Sequence, residues 1–176
     1  MAIIETQSGP SPAAKKTAVA AAVVAGLSSL EGVRQVAYYD PPGILTVCMG
    51  HTDAEGGPKI DPHHLYTIGE CKAYATRDVS QSVDRVLACA PPDIPDRVAV
   101  AFSDAVFNLG QKIACDRRPA PDGSTAARLL YARDWKGACE QLPLWNKSRI
   151  AGVLVTLPGL TKRRALERSI CLGEAA

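Results

Sequence analysis

The chain has 176 residues, 47% of them hydrophobic and 22% charged, with a formal net charge of +2. That length supports one domain with a sizeable core, and the balance is that of a globular protein rather than a disordered or nucleic-acid-binding one. Aromatic residues are only 5%, which favours helices packed through small residues over a β-sandwich.

Residues 1–13, MAIIETQSGPSPA, form a polar, Pro/Gly-containing leader. Lys15 and Lys16 then precede an uncharged run over residues 17–30, TAVAAAVVAGLSSL. Two readings stay open for this run. The basic-then-apolar layout suits a signal-type segment, although the run is shorter than the ~20 residues of a membrane-spanning helix. An ordinary buried helix suits it equally. No other segment is apolar enough to cross a bilayer.

Residues 33–52, VRQVAYYDPPGILTVCMGHT, alternate in short apolar and polar runs around Pro41-Pro42-Gly43, which predicts a hairpin or small sheet. DAEGGPKIDPHH follows as a loop. Thr67 and Glu70 have capping-box spacing and predict a helix to about Val86, with Arg77, Asp78, Asp84 and Arg85 on its wet side. Pro91 and Pro92 stop that helix. Val98, Ala101, Phe102, Ala105, Val106 and Leu109 mark one apolar face of a central helix that Gly110 ends. Ser124 is placed to cap a helix through Tyr131, and Asp134 another through Leu142. Thr161 is placed to open a last helix that Gly173 ends. The expected fold is α+β and mostly helical, with a small β lobe on the N-terminal side, a long central helix and a helical C-terminal lobe.

Six cysteines, Cys48, Cys71, Cys89, Cys115, Cys139 and Cys171, are spread along the chain without a CxxC pair. The even number suits disulfides in an oxidising compartment such as the periplasm, and spacing leaves fifteen pairings open.

Eight residues separate Glu31 from Asp40, and five separate Asp40 from Thr46. Glycosidic cleavage needs one carboxylic acid to protonate the leaving oxygen and a second group to stabilise charge or activate water. Glu31, at the end of an apolar helical run, is placed for partial burial that keeps its proton. Asp40, at an exposed turn, is placed to carry charge. The Thr46 hydroxyl, on the returning strand, is placed to hold a water on the opposite face of a sugar, which favours inversion. Acids are common at helix ends and turns, so this spacing alone favours two surface acids.

The residues around it resemble the phage-type lysozymes of glycoside hydrolase family 24, the endolysins. Their acid–acid–threonine pattern is met by Glu31, Asp40 and Thr46 within EGVRQVAYYDPPGILTVCMGHT, and the likeness continues through ECKAYATRDV, DAVFNLG, STAARLL, DWKGACEQLPLW and PGLTKRRALERSICL, over roughly residues 27–173. The resemblance implies a lysozyme-like fold and hydrolysis of the β-1,4 bond between N-acetylmuramic acid and N-acetylglucosamine in peptidoglycan, without a cofactor or metal. It makes Glu31 the general acid, with Asp40 and Thr46 stabilising charge and placing water. It also implies disulfides Cys48–Cys71, Cys89–Cys115 and Cys139–Cys171 in a monomer. Residues 31–176 are then the catalytic domain. Residues 1–30 are a leader and a signal-anchor-type helix, engaging the inner membrane and secretion machinery before release into the host periplasm.

Two features depart from the family pattern. Asp53 follows Gly50-His51-Thr52 where the family has glycine, which puts a charge at the cleft mouth. The run NKSRIAGVLVTLPGL is longer than the family's usual Gly-Gly-containing link. Rival signals are weaker. His51, His63, His64 and Cys48 lack zinc-ligand spacing, so His51 is expected to hydrogen-bond beside the cleft, with the other two histidines facing solvent. Lys162, Arg163, Arg164 and Arg168 read as a solvated basic helix face, a weaker alternative being contact with anionic wall polymer or lipid. Trp135 and Trp145 read as core. A nucleic-acid partner is not expected. The competing functions are a lytic transglycosylase, in which the acid acts alone, and a non-catalytic wall- or membrane-binding antibacterial protein.

Overall fold

The computed structural model describes residues 11–30, 32–119 and 121–174. Helix α1 (Pro12–Leu30) starts with proline at its first position, and the Ser11 hydroxyl accepts the Ala14 N–H at 3.2 Å. Val19, Val23 and Leu27, four residues apart, form one buried stripe against α2 (Ile68–Cys89) and α3 (Asp96–Leu109). The two lysines at its start hold the helix down: Lys15 lies 3.4 Å from Asp96 and Lys16 2.7 Å from Asp84. Among the described residues no helix is long and apolar enough to cross a membrane.

Strands β1 (Arg34–Tyr39), β2 (Leu45–Cys48) and β3 (His51–Thr52) form an antiparallel sheet in sequence order. Its register pairs Tyr38 with Thr46 and Thr46 with Thr52, so Thr46 is on the central strand. Val47, Cys48, Ile60, Tyr66 and Cys71 make a small core between this sheet and the start of α2. Cys48 adopts φ 62°, a conformation rarely taken by side chains with a Cβ; the tight turn to β3 and the Cys48–Cys71 disulfide hold it there.

The capping box forms as expected: the Thr67 hydroxyl accepts the Glu70 N–H and Glu70 Oε2 accepts the Thr67 N–H. Helix α2 runs three residues past the expected end, to Cys89. Helix α3 is the centre of the molecule, with every residue from Ala101 to Phe107 buried. On it pack α4 (Lys112–Cys115) and α7 (Pro158–Leu172), with α5 (Thr125–Tyr131) against α4 and α6 (Trp135–Gln141) between α5 and α7. Ser124 and Asp134 cap α5 and α6. The remaining disulfides, Cys89–Cys115 and Cys139–Cys171, fasten α2 to α4 and α6 to α7. Trp135 and Trp145 pack, partly buried, against the helical core.

Three expectations are corrected. Helix α7 starts at Pro158, not Thr161; the Thr161 hydroxyl instead donates to the Leu157 carbonyl at 3.1 Å, because proline at the first helical position already sets the start. The long run before it folds as a second hairpin, β4 (Lys147–Ile150) and β5 (Val153–Thr156), so the β structure is not confined to the N-terminal side. The basic face of α7 is largely consumed by ion pairs. Arg163 and Arg164 are buried, and Arg168 pairs with Glu140 and Glu174.

Candidate active site

The predicted acid, Glu31, lies outside the described residues; in sequence it directly follows Leu30, the last residue of α1. The other two candidates converge on the backbone of a single residue, Ile44. Asp40 follows β1, and its side-chain Oδ1 accepts the Ile44 N–H at 2.7 Å while its own N–H donates to the Ile44 carbonyl at 3.0 Å. The Asp40 carbonyl accepts the Gly43 N–H at 2.8 Å, and Gly43, at φ 88°, takes the turn that closes this loop. Thr46 is 4% exposed, and its hydroxyl donates to the same Ile44 carbonyl at 3.0 Å. Ile44 therefore fixes both candidate side chains through its backbone. Sequence reasoning missed this residue, because a backbone anchor leaves no side-chain signature.

The chemistry of each group follows from these bonds. With Oδ1 engaged by the Ile44 N–H, the Asp40 carboxylate is anchored at one oxygen and Oδ2 is the oxygen left for a ligand. With its proton committed to a carbonyl, the Thr46 oxygen keeps its lone pairs and can accept a hydrogen bond from water.

Behind this strand, His51 is 2% exposed and sits between two acceptors, Asp78 Oδ2 at 2.7 Å from Nδ1 and the Pro58 carbonyl at 3.1 Å from Nε2. Two acceptors favour a proton on each ring nitrogen. The hydrogen bond to Asp78 raises the His51 pKa above its usual value against the opposing effect of burial. The ring also lies against Tyr74, with centroids 4.6 Å apart. His51 thus ties β3 to α2 from inside. Asp78, expected on the wet face of α2, is fully buried as its partner. Asp53, expected to charge the cleft mouth, accepts the Ile60 N–H at 2.8 Å and fixes the loop after β3. His63 is exposed, as is His64, which reaches Glu70 at 3.1 Å.

A second buried polar group joins α3 to α7. Arg163 makes a two-pronged contact to Asp104, at 2.8 and 3.2 Å, and Arg164 bonds Glu167. Burial and the hydrogen bond to Asp104 push Glu167 up to about 10. For Asp104, burial pushes upward, but the Arg163 charge and the hydrogen bonds outweigh it and hold the carboxyl below its ordinary range.

The phage lysozyme family model matches residues 28–167. The chain belongs to the phage lysozyme family. It is 38% identical over 147 residues to the SAR-endolysin of bacteriophage PS119, covering 84% of this chain and 79% of that one. With the SAR-endolysin of Enterobacteria phage P21 it shares 35% over 158 residues, 88% of this chain and 87% of the relative. Its fold resembles that of the endolysin from Escherichia coli O157:H7 phage FAHEc1, with TM-score 0.72 and 25% identity over 88% of this chain and 92% of that one. The active form of P1 phage endolysin Lyz has the same fold, with TM-score 0.69 and 24% identity over 89% of this chain and 93% of that one. As a phage lysozyme the protein is a peptidoglycan-hydrolysing glycosidase of phage lysis.

Proposed function

We propose that this phage lysozyme cleaves the β-1,4 bond between N-acetylmuramic acid and N-acetylglucosamine with inversion, using Glu31, Asp40 and Thr46. Glu31 donates its proton to the leaving glycosidic oxygen as the bond to the anomeric carbon breaks. A water attacks that carbon from the opposite face, donating one hydrogen bond to Thr46 Oγ1 and losing a proton to Asp40 Oδ2. The observation that carries this reading is the shared Ile44 anchor: the Ile44 N–H holds one oxygen of the Asp40 carboxylate, and the Ile44 carbonyl takes the Thr46 proton, leaving the threonine oxygen as an acceptor for water. A transglycosylase, whose acid acts alone, has no use for that arrangement.

The enzyme works as a monomer in the host periplasm. Before release, the uncharged run over residues 17–30 engages the secretion machinery and inner membrane, a reading supported by the SAR-endolysin names of its relatives. A reporter fused to residues 1–30 that stays cytosolic would remove that step.

The catalytic reading is tested by mass spectrometry of purified peptidoglycan treated with wild type and Glu31→Gln. Reducing-end muropeptides from wild type only are expected. Anhydro ends would establish the transglycosylase instead, and equal release from both proteins would remove Glu31 from the mechanism.

A further inference from the structure

The β4–β5 hairpin is an apolar projection with a basic collar. Strands β4 and β5 pair chiefly with each other, leaving Val153 63% and Leu154 57% exposed, with Val155 also exposed. Register puts Ile150, Val153 and Val155 on one face with Ser148, and Lys147, Arg149, Leu154 and Thr156 on the other. Residues 150–155 (IAGVLV) carry no charged or polar side chain of their own; both bases stand just before them on β4, and Arg149 folds over the turn, its Nη1 donating to the Gly152 carbonyl at 2.7 Å. No acidic residue occurs between Glu140 and Glu167.

The turn supplies an independent observation. Ala151 and Gly152 both have positive φ, 47° and 84°. A two-residue turn of this hand favours asparagine or aspartate at its first position, because their side chains tolerate the left-handed conformation. Alanine there accepts backbone strain and keeps the tip apolar. A tip that only faced water would be better served by a polar residue.

The geometry points to this hairpin as a wedge that inserts tip-first into an anionic phospholipid surface. Four-residue strands reach about 13 Å, enough to bring Ile150, Val153 and Leu154 to the boundary between headgroups and acyl chains, with Lys147 and Arg149 at the phosphates. The chemistry disfavours other occupants. A glycan strand calls for aromatic platforms and polar side chains, which the tip lacks. A stable dimer buries about 800 Å² per partner, more than a hairpin tip offers. The inference stands apart from the glycosidase reading, since it involves none of Glu31, Asp40 or Thr46.

The test is co-sedimentation of the full-length, disulfide-intact protein with vesicles of phosphatidylethanolamine and phosphatidylglycerol, against vesicles of phosphatidylcholine alone. Wild type should pellet with the anionic vesicles, and Glu31→Gln should bind them equally. Val153→Thr with Leu154→Thr keeps strand-forming residues and should weaken binding by about tenfold, leaving muropeptide release from purified peptidoglycan unchanged. Lys147→Gln with Arg149→Gln should abolish the preference for anionic vesicles, at about fivefold per charge. The proposal is overturned if the threonine variant binds vesicles as wild type does, which would assign binding to another surface. It is equally overturned if wild type pellets only with peptidoglycan, or if light scattering shows a wild-type dimer that the threonine variant dissolves.

Discussion

Thr46 and His51 stand five residues apart in the same small sheet and serve opposite ends. The Thr46 proton is spent on the Ile44 carbonyl, so its oxygen is what remains useful. Thr46→Ser keeps that oxygen and should retain most muropeptide release, whereas Thr46→Val, nearly the same shape, should lower turnover about 100-fold; equal loss in both would mean that the position matters only for packing. His51 belongs to stability. Its folded pKa lies above the usual 6.5, so its pairing with Asp78 contributes fully below that value and is lost as pH rises through the folded one. In urea melts, the advantage of wild type over His51→Asn should therefore shrink as pH rises above the usual histidine value of about 6.5; an unchanged gap would show that the imidazole does not change charge on this path. The histidine, Asp40 and Thr46 were all legible in the sequence as polar residues of one hairpin. Asp78 was not, because a carboxylate on a helix reads as wet. The signal lay in its neighbours Cys71, Ala75, Val79 and Ser82, which place it on the buried stripe, and its partner comes from a different element.

Most helices could be read from their caps and periods, since Thr67, Ser124, Asp134 and Gly173 act locally and need no knowledge of the rest of the chain. The β4–β5 hairpin was hidden for the same reason in reverse: its Ala151-Gly152 turn lacks the usual asparagine, and its apolar tip does not alternate with polar residues. The burial of Arg163 and Arg164 is not legible because four bases on one short helix suggest a wet face, while the partner of Arg163, Asp104, lies on α3, far along the chain, and the partner of Arg164, Glu167, reads as a surface acid of the same helix. Asp104→Asn removes the two-pronged carboxylate contact of the buried Arg163, leaving Glu167 at 3.6 Å as its remaining acidic neighbour, and should cost about 3–5 kcal/mol in equilibrium unfolding; a loss under 1 kcal/mol would mean that Glu167 or solvent takes over the pairing. The disulfides act between elements too. Replacing Cys48 and Cys71 together by serine removes the clasp between β2 and α2 and should cost about 3 kcal/mol, read as a lower denaturation midpoint of the oxidised protein.

At the level of the molecule there are two cores, one between the sheet and the start of α2 and a larger one wrapped around α3. The predicted split into a helical body and a small β lobe follows directly from where β-branched alternation gives way to helical period. The share of α1 in the larger core could not be read, because Ala-Val sequence suits a lipid interior and a protein interior alike. All six cysteines are paired, and the first of them is Cys48. In topological terms, then, everything upstream of residue 48 is a loose end. Helix α1 is threaded through no covalent loop and can be withdrawn or inserted without cutting a bond. Its retention rests on the burial of Val19, Val23 and Leu27, roughly 5–9 kcal/mol in all, and on two lysine contacts. Amide exchange should report this as an opening of α1 at lower free energy than that of α3, and equal protection of the two helices would mean that they unfold together. Covalent connectivity therefore imposes no order between closing the disulfides and docking the first helix.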